Sequence, residues 1–193
     1  MGNKDVHVYV DGSAHQDTNK YGVGWVRTDH KDRLQSEKSK RLQVPRACST
    51  AAEVYAAQDA LDNVRKNSNV VVHSDCAAVC TAIAENSFYD KIRRSSKNKP
   101  LRKAWEALER AIDRHKEVFA SFTREEQHEY MKKAHQNAQT GAQLKFNSAG
   151  YDRRSENKHT KTMIDEDLAD HEGIAALYDD DVDYPEQDAP DVA

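Results

Sequence analysis

The stretch Val8–Ala14, VYVDGSA, puts an acid where an apolar, strand-like run stops. Val6, Val8 and Val10 alternate with His7 and Tyr9, the period-two pattern of a β-strand. Asp11 then opens Asp-Gly-Ser, which is turn chemistry, so the plain expectation is a strand that ends at Val10. A carboxylate just past a buried strand also has a chemical reading. It serves as a ligand or acid–base group if partner carboxylates reach it from elsewhere in the chain.

Moving outward, Lys20–Arg27 (KYGVGWVR) reads as a second strand whose glycines allow close backbone approach. TDHKD is a turn, and Arg33–Leu42 a third, more exposed strand. A helix starts at Ser49 or Thr50, with Ala52, Tyr55, Ala56, Ala60, Leu61 and Val64 on one apolar face. Val70–Val72 is a short strand, apolar on both faces and therefore interior, that ends in His-Ser-Asp. Cys76–Glu85 is a second helix, and Tyr89–Leu101 a basic loop or short helix. The next helix carries Leu101, Trp105, Leu108 and Ile112 on one face, which assigns Trp105 to the core. Val118–Phe122 is a fifth strand and Glu125–Ala142 a last helix. Three meandering strands followed by alternating helices and strands define an α/β fold with a mixed five-stranded sheet: three antiparallel strands, then parallel ones.

Charge divides the 193 residues into two regions. Residues 151–193 hold 14 acidic and 4 basic side chains, and residues 1–150 hold 19 and 25. A moderately basic body suits a polyanion, for which the acidic tail can compete. Residues 1–146 read as one domain and 147–193 as an acidic, disordered tail, with a short helix conceivable around Ile164–Leu177. The cysteines, Cys48, Cys76 and Cys80, are odd in number and form no C-x-x-C, which points to a reducing compartment. His73, Cys76 and Cys80 offer three zinc ligands at most, and Asp75 among them argues for another role. The first residues show no signal-peptide pattern, and no apolar run approaches the roughly 18 residues that span a bilayer. The expectation is a soluble, cytoplasmic monomer that does not engage a membrane.

Three acids stand out by position: Asp11 after the first strand, Glu53 in the first turn of the first helix, Asp75 after the fourth strand. If strands one and four run side by side and parallel, both aspartates emerge at one end, and the helix can bring Glu53 over it. Three carboxylates in one place repel unless a cation neutralises them, and an oxygen-only cluster suits Mg²⁺ or Mn²⁺. Each acid also has an ordinary reading. Asp11 can be a turn residue, Glu53 can close a Thr-x-x-Glu capping box with Thr50, and Asp75 can cap the second helix.

The segments VYVDGSA, GVGWV, STAAEVYAAQDAL, NVVVHSDCAAV and AWEALERAI, in this order, resemble the type I ribonuclease H family over roughly residues 5–142. The resemblance implies a ribonuclease H-like fold with helices on both sheet faces. It also implies a metal-dependent endonuclease that hydrolyses the RNA strand of RNA–DNA hybrids with two Mg²⁺ or Mn²⁺ ions. Asp11, Glu53 and Asp75 take the metal-binding and catalytic roles, and His135, after Ala134, stands where the family has a fourth acid. His135 then ligates a metal as neutral imidazole, moves protons, or is an ordinary polar helix residue. The family's loop histidine corresponds to His128 or Glu125. Ser49 stands where the family has Asn, Ala77 where it has Gln, and the Asn-Pro-Gly segment is absent. Nucleic-acid contacts fall to Ser13, Ser49, Lys91, Arg93, Arg94, Lys97 and Lys99. Two other functions share this fold: a non-catalytic nucleic-acid-binding or protein-interaction module, and a DNA-directed nuclease.

Overall fold

The computed structural model describes residues 5–15, 18–44 and 47–143. The expectations for an acidic tail and a short helix near Ile164–Leu177 lie outside the described residues. The elements fall within one unit, Met1–Leu144. In chain order they are β1 (Val6–His15), β2 (Lys20–Thr28), β3 (Leu34–Leu42), α1 (Ser49–Asp62), β4 (Asn69–Ser74) and α2 (Ala77–Ala84). Then come α3 (Phe88–Arg94), α4 (Lys99–Ile112), β5 (Glu117–Phe122), a 3₁₀ turn (Glu125–Gln127) and α5 (Glu129–Gln143). The sheet order is β3-β2-β1-β4-β5, with β1–β2 and β2–β3 antiparallel and β1–β4 and β4–β5 parallel. This is the mixed sheet that the element order predicts.

The alternation in β1 sorts its side chains between two layers. Val8 and Val10, with Val23 and Trp25 of β2, pack under the Ala-rich face of α1 and the Trp105–Leu108 face of α4. Tyr9, paired with Val26 of β2, packs under Met131 and Ala134 of α5 on the opposite face. Trp105 is fully buried, and Lys91 Nζ lies 6.0 Å above its ring. Small residues set how closely the helices approach. A Cβ on Gly24 of β2 would fall 2.2 Å from Ala138 N and 2.3 Å from Ala134 O, so α5 can lie on the sheet only over glycine.

The first strand does not end at Val10. β1 runs through Asp11 to His15, with Asp11 opposite Gly24 and His15 opposite Lys20. β4 leaves β1 after the Tyr9–His73 pair, but β2 stays alongside to the hairpin. Pairing along one edge therefore overrides the turn preference of Asp-Gly-Ser. Glu53 is the fifth residue of α1, so it lies beyond the first turn, where it was expected. The basic segment is helical over Phe88–Arg94, and the last helix starts at Glu129 after the separate 3₁₀ turn.

Candidate active site

The parallel pairing of β1 and β4 brings Asp11 and Asp75 together. Tyr9 pairs with His73, so two residues further along each chain the acids stand at the same level, where β4 turns into α2. Glu53 reaches this level from the α1 side. Its helix can come so close because position 12 is glycine. A Cβ there would sit 2.3 Å from Ala52 C and from Glu53 N. The Gly12 N–H donates to Glu53 Oε2 at 2.8 Å. One ligand oxygen from each of Asp11, Glu53 and Asp75 then lies within 4.8 Å of the others.

The ordinary readings of the three acids do not hold here. Asp11 is a strand residue, 4% exposed. Glu53 bonds the Gly12 backbone, and the N-cap residue of α1, Cys48, makes no side-chain cap bond. The N-cap residue of α2 is Cys76, whose N–H donates to Ser74 Oγ at 3.1 Å.

The electrostatics of this cluster are unresolved without a counter-charge. Burial raises the Asp11 carboxyl to about 6; His135 opposes the rise, and Asp75 adds to it. Burial first, then the charges of Asp11 and Asp75, push Glu53 well above the usual carboxylate range. Asp11 Oδ2 is buried with no hydrogen-bond partner. His135 Nδ1 lies 3.3 Å from it, but out of line for a hydrogen bond. A buried, orphaned carboxylate oxygen in an all-oxygen trio fits a hard divalent cation, which would satisfy the oxygen and quench the repulsion.

Among the other expected site residues, His135 joins the cluster from α5. Its Nε2 lies 2.7 Å from Gln139 Nε2 and 3.9 Å from Glu125 Oε2. Between the two candidates for the loop position, the structure brings Glu125 to the site and sends His128 elsewhere. His128 stacks on Tyr9 with ring centroids 4.5 Å apart, and its Nδ1 accepts from Tyr130 N–H at 3.2 Å. Ser13 is half-buried on β1 beyond Asp11, and Ser49 is exposed at the first residue of α1. Lys91, Arg93 and Arg94 lie on α3, Lys97 in the following turn and Lys99 at the start of α4. Asn98 Nδ2 lies 3.9 Å from Cys48 Sγ, which fixes that turn beside the N-terminus of the helix carrying Glu53. His73 is turned away from the cysteines: its Nε2 meets His7 Nδ1 at 3.0 Å and its Nδ1 meets Thr123 Oγ1 at 3.2 Å. The sequence pointed neither to Gln139 nor to the Gly12 N–H, since both contacts depend on how helices seat on the sheet.

Fold and site together define an α/β domain with a carboxylate trio, graded from the buried Asp11 to the exposed Asp75, at the exit of its central parallel strand pair. A model of the RNase H family matches residues 3–144, and the chain belongs to that family. No curated protein matches the sequence. The chain is similar to the structure of RNase H1 from the halophilic archaeon Halobacterium salinarum at 17% identity and a TM-score of 0.55, over 71% of this chain and 96% of that one. It is also similar to the N-terminal RNase H domain of a Mycobacterium tuberculosis protein at 16% and 0.54, over 72% and 98%. A third similar structure is LC11-RNase H1, isolated from compost, at 18% and 0.54, over 73% and 96%. At these identities the likeness is one of fold. No described helix is long and apolar enough to cross a membrane.

Proposed function

We propose that the protein is a metal-dependent endonuclease that hydrolyses the RNA strand of RNA–DNA hybrids, using two Mg²⁺ or Mn²⁺ ions. Membership of the RNase H family supports the reaction class. The observation that carries the reading is the Asp11–Glu53–Asp75 trio with its orphaned Asp11 Oδ2. Bound ions would activate a water and stabilise the departing 3′-oxygen, so no protein nucleophile is required. The chain's own part is to hold and orient. Asp11, Glu53 and Asp75 supply the oxygen ligands, and His135 stands beside Asp11 as a nitrogen donor or proton carrier. Ser13, Ser49, Lys91, Arg93, Arg94, Lys97 and Lys99 contact the phosphate backbone, which gives affinity without sequence reading. Imidazole favours Mn²⁺ over Mg²⁺, so Mn²⁺ is the better activator.

The test is incubation of the purified chain with labelled hybrid, double-stranded RNA and double-stranded DNA, with Mg²⁺, Mn²⁺ or chelator. The expected result is cleavage of the hybrid's RNA strand alone, abolished by chelator. Hybrid binding without cleavage in either metal would assign the chain to a non-catalytic module. Cleavage of duplex DNA would make it a DNA-directed nuclease.

A further inference from the structure

His135 and Gln139 stand one helical turn apart on α5, and their side chains meet: Gln139 Nε2 lies 2.7 Å from His135 Nε2. On the other side of the ring, His135 Nδ1 faces the buried, unpartnered Asp11 Oδ2 at 3.3 Å. Glu125 Oε2, 3.9 Å from the same Nε2, is beyond hydrogen-bond reach, so the amide of Gln139 is the group that engages that nitrogen. A neutral imidazole carries a single hydrogen, and the partner of one nitrogen therefore decides what the other presents. As the groups stand, Gln139 N–H donates to the Nε2 lone pair, and the hydrogen lies on Nδ1, towards Asp11. That N–H is out of line with Asp11 Oδ2 and gains no hydrogen bond there.

We infer that Gln139 is the positioning residue of His135, an amide that holds either hydrogen arrangement of the ring according to which of its ends faces Nε2. The inference rests on the metal-dependent reading above and deepens it. A primary amide has a donor end and an acceptor end of nearly equal size. A half-turn about its last bond, a torsion with two roughly equivalent wells, exchanges them without moving the helix. With the carbonyl end inward, Gln139 Oε1 accepts the hydrogen from Nε2, and Nδ1 turns its lone pair towards Asp11 Oδ2. A divalent cation held by Asp11 demands this second arrangement, because it repels an N–H pointed at it and attracts a lone pair. The ring stays neutral throughout: it gives up the hydrogen at Nδ1 and takes one at Nε2, both exchanged with water. A lysine at this position could hold only the first arrangement and a glutamate only the second. Gln139 is exposed, so its amide has room to turn and its replacement opens no cavity. A metal-ligating histidine gives its other N–H to an acceptor in nearly all protein sites, and loss of that partner weakens metal affinity by roughly 10–100-fold.

The experiment uses the full chain labelled with ¹⁵N-histidine at about pH 8, well above the ordinary imidazole value, so that the ring is neutral. Nuclear magnetic resonance locates the His135 hydrogen with and without saturating Mg²⁺, the signals being assigned by their loss in His135→Ala, and calorimetry measures Mg²⁺ affinity. The variants are Gln139→Glu, which keeps only an acceptor, and Gln139→Met, which has similar length and neither end. In the unmodified chain the hydrogen should move from Nδ1 to Nε2 when Mg²⁺ is added. Gln139→Glu should show it on Nε2 under both conditions. Gln139→Met should show a mixture without Mg²⁺ and bind Mg²⁺ about 10-fold or more weakly. A merely structural role would not move the tautomer in opposite senses, and the melting temperatures of both variants should match the unmodified chain. Mg²⁺ bound to the unmodified chain with the hydrogen still on Nδ1 overturns the inference and leaves the nuclease reading standing. So does a Gln139→Met chain with unchanged tautomer and affinity. A chain that binds no Mg²⁺ overturns both.

Discussion

Tyr9 and Asp11 stand two residues apart on β1, and His73 and Asp75 two residues apart where β4 ends. These two levels of one strand pair are built on opposite principles. At the lower level every polar group is spoken for. His73, Tyr9 and His128 form a stack, with centroids 4.4 and 4.5 Å apart. Tyr9 O–H donates to Asp32 Oδ1 at 3.2 Å, and Tyr130 O–H donates to the Asp32 carbonyl at 2.9 Å. Burial drives His73 down to about 4, so it is neutral and stays so. At the upper level Asp11 and Glu53 are raised by burial and by the acids beside them, and Asp11 Oδ2 has no hydrogen-bond partner. One level is a finished piece of core. The other holds a buried carboxylate oxygen with no hydrogen-bond partner beside two further acids. Strain confined to one level, directly above a satisfied one, marks where a ligand belongs.

The sharpest way to break this contrast is Asp11→Asn. Hybrid cleavage should fall on the order of 10⁴-fold, about 5.5 kcal/mol of barrier, while the melting temperature holds or rises because repulsion is relieved. A variant that cleaves normally at saturating metal would put the chemistry elsewhere. Tyr9→Ala should do the reverse. Removing a ring that is 2% exposed should cost about 3–4 kcal/mol in denaturant unfolding, and the fraction that remains folded should still bind Mn²⁺. Metal-independent loss of folding in Asp11→Asn, or loss of metal binding with normal stability in Tyr9→Ala, would invert the two assignments.

A smaller effect follows from the raised acids. A carboxyl that titrates near 6 when folded and near 3.8 when unfolded holds its proton more tightly in the native state. Its contribution therefore favours folding at low pH, and this is lost as pH rises through about 6. A divalent cation bound at the trio would restore it by taking the proton's place. Added cation should raise the melting temperature by several degrees at pH 7.5 and hardly at pH 5; equal shifts at both would mean the cation binds elsewhere. The smallest change is expected for His73→Phe, which keeps the stack and gives up the bonds to His7 and Thr123. Its stability at pH 7.5 should change by about 1 kcal/mol. The folded-state value near 4 lies below the ordinary 6.5, so the native histidine loses stability as pH falls between them. The phenylalanine variant should lack that loss in acid unfolding curves.

How much of this was legible in the sequence depends on the range of the interaction. The sheet order follows from alternation in Val6–Val10 and the strand–helix rhythm, both local signals. The three acids could be named because each sits next to such a signal. What sequence misread was set by distant partners. Asp11 looked like the start of a turn because β2, which keeps β1 extended, is invisible from Asp-Gly-Ser alone. Glu53 looked like a capping-box acid with Thr50, but its oxygen goes to Gly12, 41 residues away. His128 and Glu125 were interchangeable until the 3₁₀ turn fixed which of them faces α5's His135. The stack of His73 on Tyr9 joins residues 64 apart along the chain and has no local signature.

Gly12 carries a consequence for how the chain tolerates change. Its missing side chain admits α1, and its N–H holds Glu53. The same atom group thus sets both a packing distance and a ligand position, so the position cannot drift for one purpose without disturbing the other. A library randomised at codon 12 and selected for hybrid cleavage should return glycine almost alone, whereas one randomised at the exposed Asp113 codon should return many residues. Along a lineage, position 12 would read as immobile even though its residue contributes no side-chain chemistry at all.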